Sequence, residues 1–251
     1  MSEDFKGKTA LITGATGGMG RAVAVALGEY GANIVIAARR EKEGGEAVAE
    51  VEVAGGQALF IRTDVTKEAE AKAMVDKTVE RFGGLDLVFN NAGSGVNTPI
   101  TEMTTPEWDL DIAVNLTGTF YGLKAQMAVM QENGGSIVNM SSQTATYASP
   151  GYGAYAAAKA GVEALTRVAA IEGAAQNIRV NTVAPGVINT DILDTVPPEL
   201  LKTLKSRIPM KRPGEVNEVA DLVLYLMSPR SSFITGQTIL VEGGFTKGWN
   251  F

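Results

Sequence analysis

Cysteine and histidine are both absent from the 251 residues. Without cysteine there is no disulfide and no thiolate nucleophile, and without histidine a Ser-His-Asp hydrolase is excluded. The same absences remove zinc sites built on thiolate or imidazole, so no metal is expected. Long apolar runs are missing too, none reaching the roughly 20 residues needed to cross a bilayer. The start Met1-Ser2-Glu3-Asp4-Phe5-Lys6 lacks the apolar segment of a secretory signal. A soluble, cytoplasmic protein without a membrane partner is expected. Positive charge is in deficit, with 22 Lys+Arg against 28 Asp+Glu and a net charge of −6, which argues against a nucleic-acid partner. There is no low-complexity linker and no repeat of solenoid period.

What is present is a chain 45% hydrophobic, long enough for one substantial core. Strand-like segments near 8–13, 34–38, 57–61, 86–90, 135–141, 178–184 and 238–241 alternate with helix-like ones. This pattern predicts an α/β, doubly wound parallel sheet (a Rossmann fold) of about seven strands flanked by helices, with right-handed crossovers. One domain is expected over residues 1–251. Its ligand should lie beyond the carboxyl ends of the strands.

Two motifs carry chemistry. After Thr9-Ala10-Leu11-Ile12 comes Thr13-Gly14-Ala15-Thr16-Gly17-Gly18-Met19-Gly20 and then the helical period of Ala22, Val23, Ala26 and Leu27. Glycines in such a strand-turn-helix let the backbone approach a pyrophosphate, and the helix N-terminus favours its charge. Tyr155 and Lys159, four residues apart with no helix breaker between them, project from one helical face. A neighbouring ammonium favours the phenolate, so the tyrosine can serve as a general acid or base.

With these residues the chain resembles the short-chain dehydrogenase/reductase family over essentially its whole length. Thr-Gly-x-x-x-Gly-x-Gly is matched by Thr13, Gly14, Gly18 and Gly20, and Asn-Asn-Ala-Gly by Asn90, Asn91, Ala92 and Gly93. Asn115, the serines of Ile137-Val138-Asn139-Met140-Ser141-Ser142, Tyr155 and Lys159 follow in order, then Pro185-Gly186-Val187-Ile188-Asn189-Thr190 and Ile234-Thr235-Gly236-Gln237 with Glu242-Gly243-Gly244.

The resemblance implies a nicotinamide cofactor bound by Gly14, Thr16, Gly18, Met19, Gly20, Asp64, Val65, Asn91, Ala92, Gly93, Tyr155, Lys159, Pro185, Gly186, Ile188 and Thr190. An NAD-preferring member should end its second strand on an acid that holds the ribose hydroxyls. Here Ala38 occupies that place, followed by Arg39 and Arg40, and a guanidinium suits a 2′-phosphate. NADP(H) is expected over NAD(H), with Arg39 the favoured contact, although Gly17 stands where many NADP-using relatives carry a basic residue. Asp64 should accept from the adenine amino group, and a turn or capping role is a competing explanation.

The resemblance also implies hydride transfer between cofactor and a ketone or secondary alcohol, with Tyr155 donating the proton. Ser142, thirteen residues before Tyr155, should bond the reacting oxygen, with Ser141 as the neighbouring alternative. Lys159 should lower the Tyr155 pKa and hold the nicotinamide ribose. Asn115 should anchor a water linking Lys159 to solvent, and closing a helix irregularity is a structural role compatible with that. Tyr152 is a decoy by spacing, since residue 156 is alanine. The segment 189–213 should form a substrate lid, and Val96, Thr144, Tyr147, Ile192, Leu193 and Met210 a mostly apolar pocket for a small or medium ketone.

Two other functions are weighed. A 3-oxoacyl-acyl-carrier-protein reductase would need a basic docking patch, yet Gln131-Glu132-Asn133 and Ala174-Ala175-Gln176-Asn177 lack the arginines. A non-catalytic nucleotide-binding scaffold is disfavoured by the full catalytic set. Helices around 106–132 and 152–175 carry Phe120, Leu123, Met127, Met130, Val162, Leu165 and Val168 on more than one face, which predicts a homotetramer.

Overall fold

The structure, a computed structural model, describes residues 2–247 apart from 192, 194 and 195. Its centre is β1 (Thr9–Thr13), whose neighbours are β2 (Asn33–Ala38) and β4 (Leu87–Asn90), both parallel to it. Beyond β2 lies β3 (Gln57–Arg62); beyond β4 lie β5 (Gly135–Met140), β6 (Ile178–Pro185) and β9 (Thr238–Val241). The order β3-β2-β1-β4-β5-β6-β9 reverses direction after β3, which puts the switch point at β1 and β4. The seven predicted strands all form, their ends shifted by a residue or so.

Successive strand residues feed opposite cores. Ala10, Ile12, Ile34, Ile36, Leu87, Phe89 and Val138 pack with Val23, Ala24 and Leu27 of α2 (Gly18–Glu29), Ala47 and Val51 of α3 (Glu41–Val53), and Val219, Val223 and Leu226 of α9 (Val216–Met227). Leu11, Val35, Val88, Ile137 and Val180 face the other way, onto Met74 and Val75 of α4 (Glu68–Phe82), Leu123 and Met130 of α6 (Gly118–Met130), and Ala169 of α7 (Gly153–Gly173). Strands covered on both faces must be apolar throughout rather than alternating, as β1 is, with all five residues buried. Each fully buried Leu, Ile, Val or Phe contributes about 1.5–3 kcal/mol.

The helix expected around 106–132 is interrupted. α5 (Thr105–Asp111), opened by a capping box between Thr104 and Glu107, runs into a π-helical turn over Ile112–Thr117 before α6 begins. Two further elements, β7 (Ile188–Asn189) and β8 (Gly214–Glu215), pair with each other and flank α8 (Pro198–Arg207), so the proposed lid segment holds a short amphipathic helix. Ile192 falls outside the described residues.

Candidate active site

The turns after β1, β4, β5 and β6 meet at one sheet edge. Gly14 (φ +68) and Gly18 (φ +53) use backbone conformations that glycine favours. A Cβ on Gly14 would stand 2.8 Å from Ala92 Cα, and one on Gly20 would stand 2.5 Å from Asn91 Nδ2. The two segments are stitched together: Thr13 Oγ1 accepts from the amides of Asn91 and Ala92, each at 3.0 Å, and Asn91 Nδ2 donates to Thr13 O at 3.0 Å and Gly14 O at 3.1 Å. Thr190 stands opposite, its Cγ2 3.6 Å from where a Gly18 Cβ would be. The missing side chains of Gly14 and Gly20 let Asn91 and Ala92 close on the turn, while Gly17 and Gly18 keep its tip bare but for the ends of Arg40 and Thr190, which fits a backbone-bound pyrophosphate. Met19 packs against the core at the start of α2, and Val65 lies against Gly118 at the head of α6.

At the end of β2, Arg40 folds over the glycine turn and donates to Thr16 Oγ1 at 2.7 Å, with Glu43 3.5 Å away. Arg39 is exposed, and its charge acts on Asp64. The expectation singled out Arg39, whereas the guanidinium seated on the turn is that of Arg40. Asp64 makes an Asx turn, its Oδ1 accepting from Thr66 N at 3.0 Å and Thr66 Oγ1 at 2.8 Å. Burial alone would raise its pKa, but these bonds and Arg39 hold it below the ordinary carboxylate value.

Catalytic candidates converge on α7. Ser141 is committed elsewhere, donating to Glu163 Oε1 at 2.8 Å and Lys159 O at 3.3 Å. Ser142 Oγ lies 2.8 Å from Thr144 Oγ1 and also stabilises the Tyr155 phenolate. Lys159 is 2% exposed and donates to Met140 O at 2.9 Å. Its Nζ stands 5.5 Å from the Tyr155 ring centroid and 3.5 Å from where a Gly93 Cβ would be. Burial lowers the Lys159 pKa to about 8, against the pull of Asp111. The expected lowering of Tyr155 by Lys159 is not what the structure gives: burial pushes the phenol up, the Ser142 bond opposes this, and the Asp111 charge adds to the rise. The ammonium sits over the ring rather than on the phenolic oxygen, so it offers the phenolate too little to offset desolvation. Tyr152 packs edge-on to Tyr155, ring centroids 6.1 Å apart.

Asn115, fully buried in the π-helical turn, donates from Nδ2 to Asp111 O and Ser94 O, both at 2.9 Å, and accepts from Ser94 N at 3.3 Å. It therefore closes the helix irregularity, one of the two readings made for it. Pro185 ends β6, Gly186 follows, and Ile188 is buried in β7. Against Gly186 lies Gln143 Oε1, a buried acceptor without a partner, which a bound amide or hydroxyl would satisfy. Tyr147 stacks edge-on against Phe245 at 5.3 Å, closing the pocket side with the end of the described chain. Sequence reasoning placed Ser94 and the residues after Ser142 at the pocket wall but passed over the fully buried Asp111. The available signal for Asp111 was its place four residues before Asn115, on the same helical face.

A glycine turn fit for a pyrophosphate at the switch point of a doubly wound sheet, beside a Ser-Tyr-Lys cluster, defines a nicotinamide-dependent oxidoreductase. The chain belongs to the short-chain dehydrogenase/reductase family: a model described as enoyl-(acyl carrier protein) reductase matches residues 14–246. It is 39% identical to 2,5-dichloro-2,5-cyclohexadiene-1,4-diol dehydrogenase LinX of Sphingobium indicum, over 99% of this chain and 100% of that one. It is 40% identical to 3-oxoacyl-[acyl-carrier-protein] reductase FabG of Staphylococcus aureus, over 94% and 97%. The structure of an NAD+-bound xylitol dehydrogenase superposes with a TM-score of 0.92 at 32% identity, over 96% and 99%.

Proposed function

We propose that the protein is an NADP(H)-dependent carbonyl reductase or alcohol dehydrogenase in which Tyr155 is the general acid and base. The observation that carries this reading is the half-buried Tyr155 beside the buried Ser142, with the buried Lys159 one turn along α7, at the sheet edge that holds the glycine turn. The nicotinamide, when bound, supplies or takes the hydride. Gly14, Thr16, Gly18, Met19 and Gly20 would hold its pyrophosphate, Asp64 and Val65 the adenine, Asn91, Ala92 and Gly93 the adenosine ribose, and Pro185, Gly186, Ile188 and Thr190 the carboxamide end.

In the reducing direction Tyr155 gives its phenolic proton to the substrate oxygen as negative charge develops there, and Ser142 donates a hydrogen bond to the same atom. A phenol raised by burial is protonated at neutral pH, which suits an acid. Lys159 spends one ammonium hydrogen on Met140 O and has others to offer the ribose on the Gly93 side. The engagement of Ser141 with Glu163 supports Ser142 as the substrate-facing serine. Ala38 in place of an acid, with Arg40 seated on Thr16 and Arg39 beside it, supports NADP(H).

The 189–213 segment is proposed as a lid. It is pinned at its far end where Met210 N bonds Gly243 O at 3.3 Å, while Leu200 and Met210 are exposed and available to cover a substrate. A homotetramer is proposed from the exposed Phe120 and Val168 on α6 and α7, and from Phe233 beside the half-buried edge strand β9.

A ring-bearing ketone is the first substrate class to test, given the relative that acts on a cyclohexadienediol. The FabG relative supports a second reading, 3-oxoacyl-carrier-protein reduction. Loss of NADPH absorbance with a panel of cyclic ketones, linear ketones and acetoacetyl thioesters separates them. Turnover of cyclic ketones well above the thioesters is expected; thioester preference would select the second reading, and no turnover in either direction would overturn both.

A further inference from the structure

Asp111 is a carboxylate with no access to solvent, at the last position of α5, and no part of the proton transfer above uses it. A carboxyl so placed needs hydrogen-bond partners, since burying an unsatisfied polar group is costly. Its Oδ1 accepts from Ser94 Oγ at 3.3 Å and its Oδ2 from Val96 N at 3.1 Å. Its own backbone carbonyl accepts from Asn115 Nδ2, and Asn115 in turn grips both backbone groups of Ser94. The loop that leaves Gly93 for the pocket wall is therefore held by two adjacent turns of one helix.

We propose that Asp111 is a positioning residue of this site: its carboxylate fixes the 94–96 wall against which the substrate lies. The assignment rests on the reading of Tyr155 and Lys159 as the reacting pair. Its charge also favours the ammonium of Lys159 and disfavours the phenolate of Tyr155, for both of which burial is the larger influence. The other groups facing the pair are Ser142, bonded to Tyr155, Tyr152, edge-on to Tyr155, and the carbonyl of Met140 on Lys159. Glu163, one turn further along α7, is occupied by Ser141.

Two substitutions separate charge from clamp. Asp111→Asn removes the charge and can keep both bonds, its Oδ1 accepting from Val96 N while Nδ2 donates to Ser94 Oγ. Asp111→Leu removes both. The first readout needs no substrate: phenolate absorbance in stopped-flow pH jumps, each protein corrected by its own Tyr155→Phe counterpart. The Tyr155 midpoint should fall in Asp111→Asn, as expected for losing a charge that disfavours the phenolate. An unmoved midpoint would overturn the counter-charge. The second readout is the split between ketone KM and NADPH Kd. Asp111→Leu should raise KM roughly tenfold, about the loss of one hydrogen bond, with Kd unchanged, and Asp111→Asn should restore KM. If Asp111→Asn matches Asp111→Leu in KM, or if Kd rises as much as KM, the clamp is overturned. The absorbance titration reads Asp111 even if no ketone is turned over, so failure of the proposed activity is distinguishable from failure of this assignment.

Discussion

Tyr155 has lost most of its solvent and gained one hydroxyl neighbour, so its value to the protein lies in a proton kept on at neutral pH. Tyr155→Phe keeps the ring and loses that proton; turnover should fall 10²–10⁴-fold, the usual worth of general acid catalysis, while NADPH binding changes little. Single-turnover rates and a binding titration check this. Ser142→Ala should impair turnover and Ser141→Ala should be milder, the reverse order exchanging their roles. At the other end of the cofactor, replacing Arg39 and Arg40 together by alanine should weaken NADPH binding roughly tenfold to over a hundredfold, since charged hydrogen bonds are worth about 1.5–3 kcal/mol. NADH affinity should stay nearly constant, and equal losses would refute the phosphate role. Lys159 adds a pH signature. Burial takes its pKa from 10.5 to about 8, so between those values the unfolded chain binds a proton that the folded chain does not. Stability must then rise with pH across that window, and the penalty is fully present below it. Urea midpoints through the window should climb for the wild type and climb less for Lys159→Met.

Among the elements, α3 offers a sharp test of packing. Gly44 faces β3, where an added Cβ would fall 2.2 Å from the Phe60 ring, whereas Gly45 has nothing within 4 Å. Gly44→Ala should destabilise by about 1–3 kcal/mol through overpacking, and Gly45→Ala should stabilise by about 0.5–1 kcal/mol through helix propensity. Chemical unfolding of the pair reads both. The same comparison of sequence and structure shows where legibility ends. Every strand of the main sheet was readable, because runs such as Thr9–Thr13 and Ile34–Ala38 are apolar and bounded by turns. The order of the strands was readable only by analogy, since no local signal says that β1 pairs with β4. The π-helical turn was legible only as an irregularity that Asn115 could close, and its extent was not, because Ile112–Thr117 has an ordinary helical composition. Asp111 was passed over because an acid in a helix reads as a solvated face, yet here Leu110 is exposed and Asp111 buried. Arg40 displaced Arg39 on the turn because side-chain direction at the end of a strand depends on the loop it meets.

For the whole molecule, the apolar helix faces divide. Leu123, Met130 and Val162 are buried in the chain's own core and call for no partner, which corrects part of the argument for assembly, and Met127 and Leu165 are partly buried against that core. Phe120 and Val168 remain exposed, joined by Ile171. Light scattering at micromolar concentration should give a mass near four chains. A dimer would leave only the helical interface, and a monomer would defeat the proposal.

The sheet order carries one more consequence, for the way the chain is made. β1 is a central strand whose two neighbours both follow it in sequence, one soon and one late: β2 begins at Asn33, and β4 only at Leu87. A growing chain can pair β1 with β2, and β2 with β3, early, while the other edge of β1 stays bare until about 75 further residues have been synthesised. During that interval the unpaired edge is a row of five residues that are all buried at the end, the kind of template on which neighbouring nascent chains join. Refolding yield should therefore be limited by concentration and by the closure of β4 onto β1, the slow long-range step on which every later strand depends.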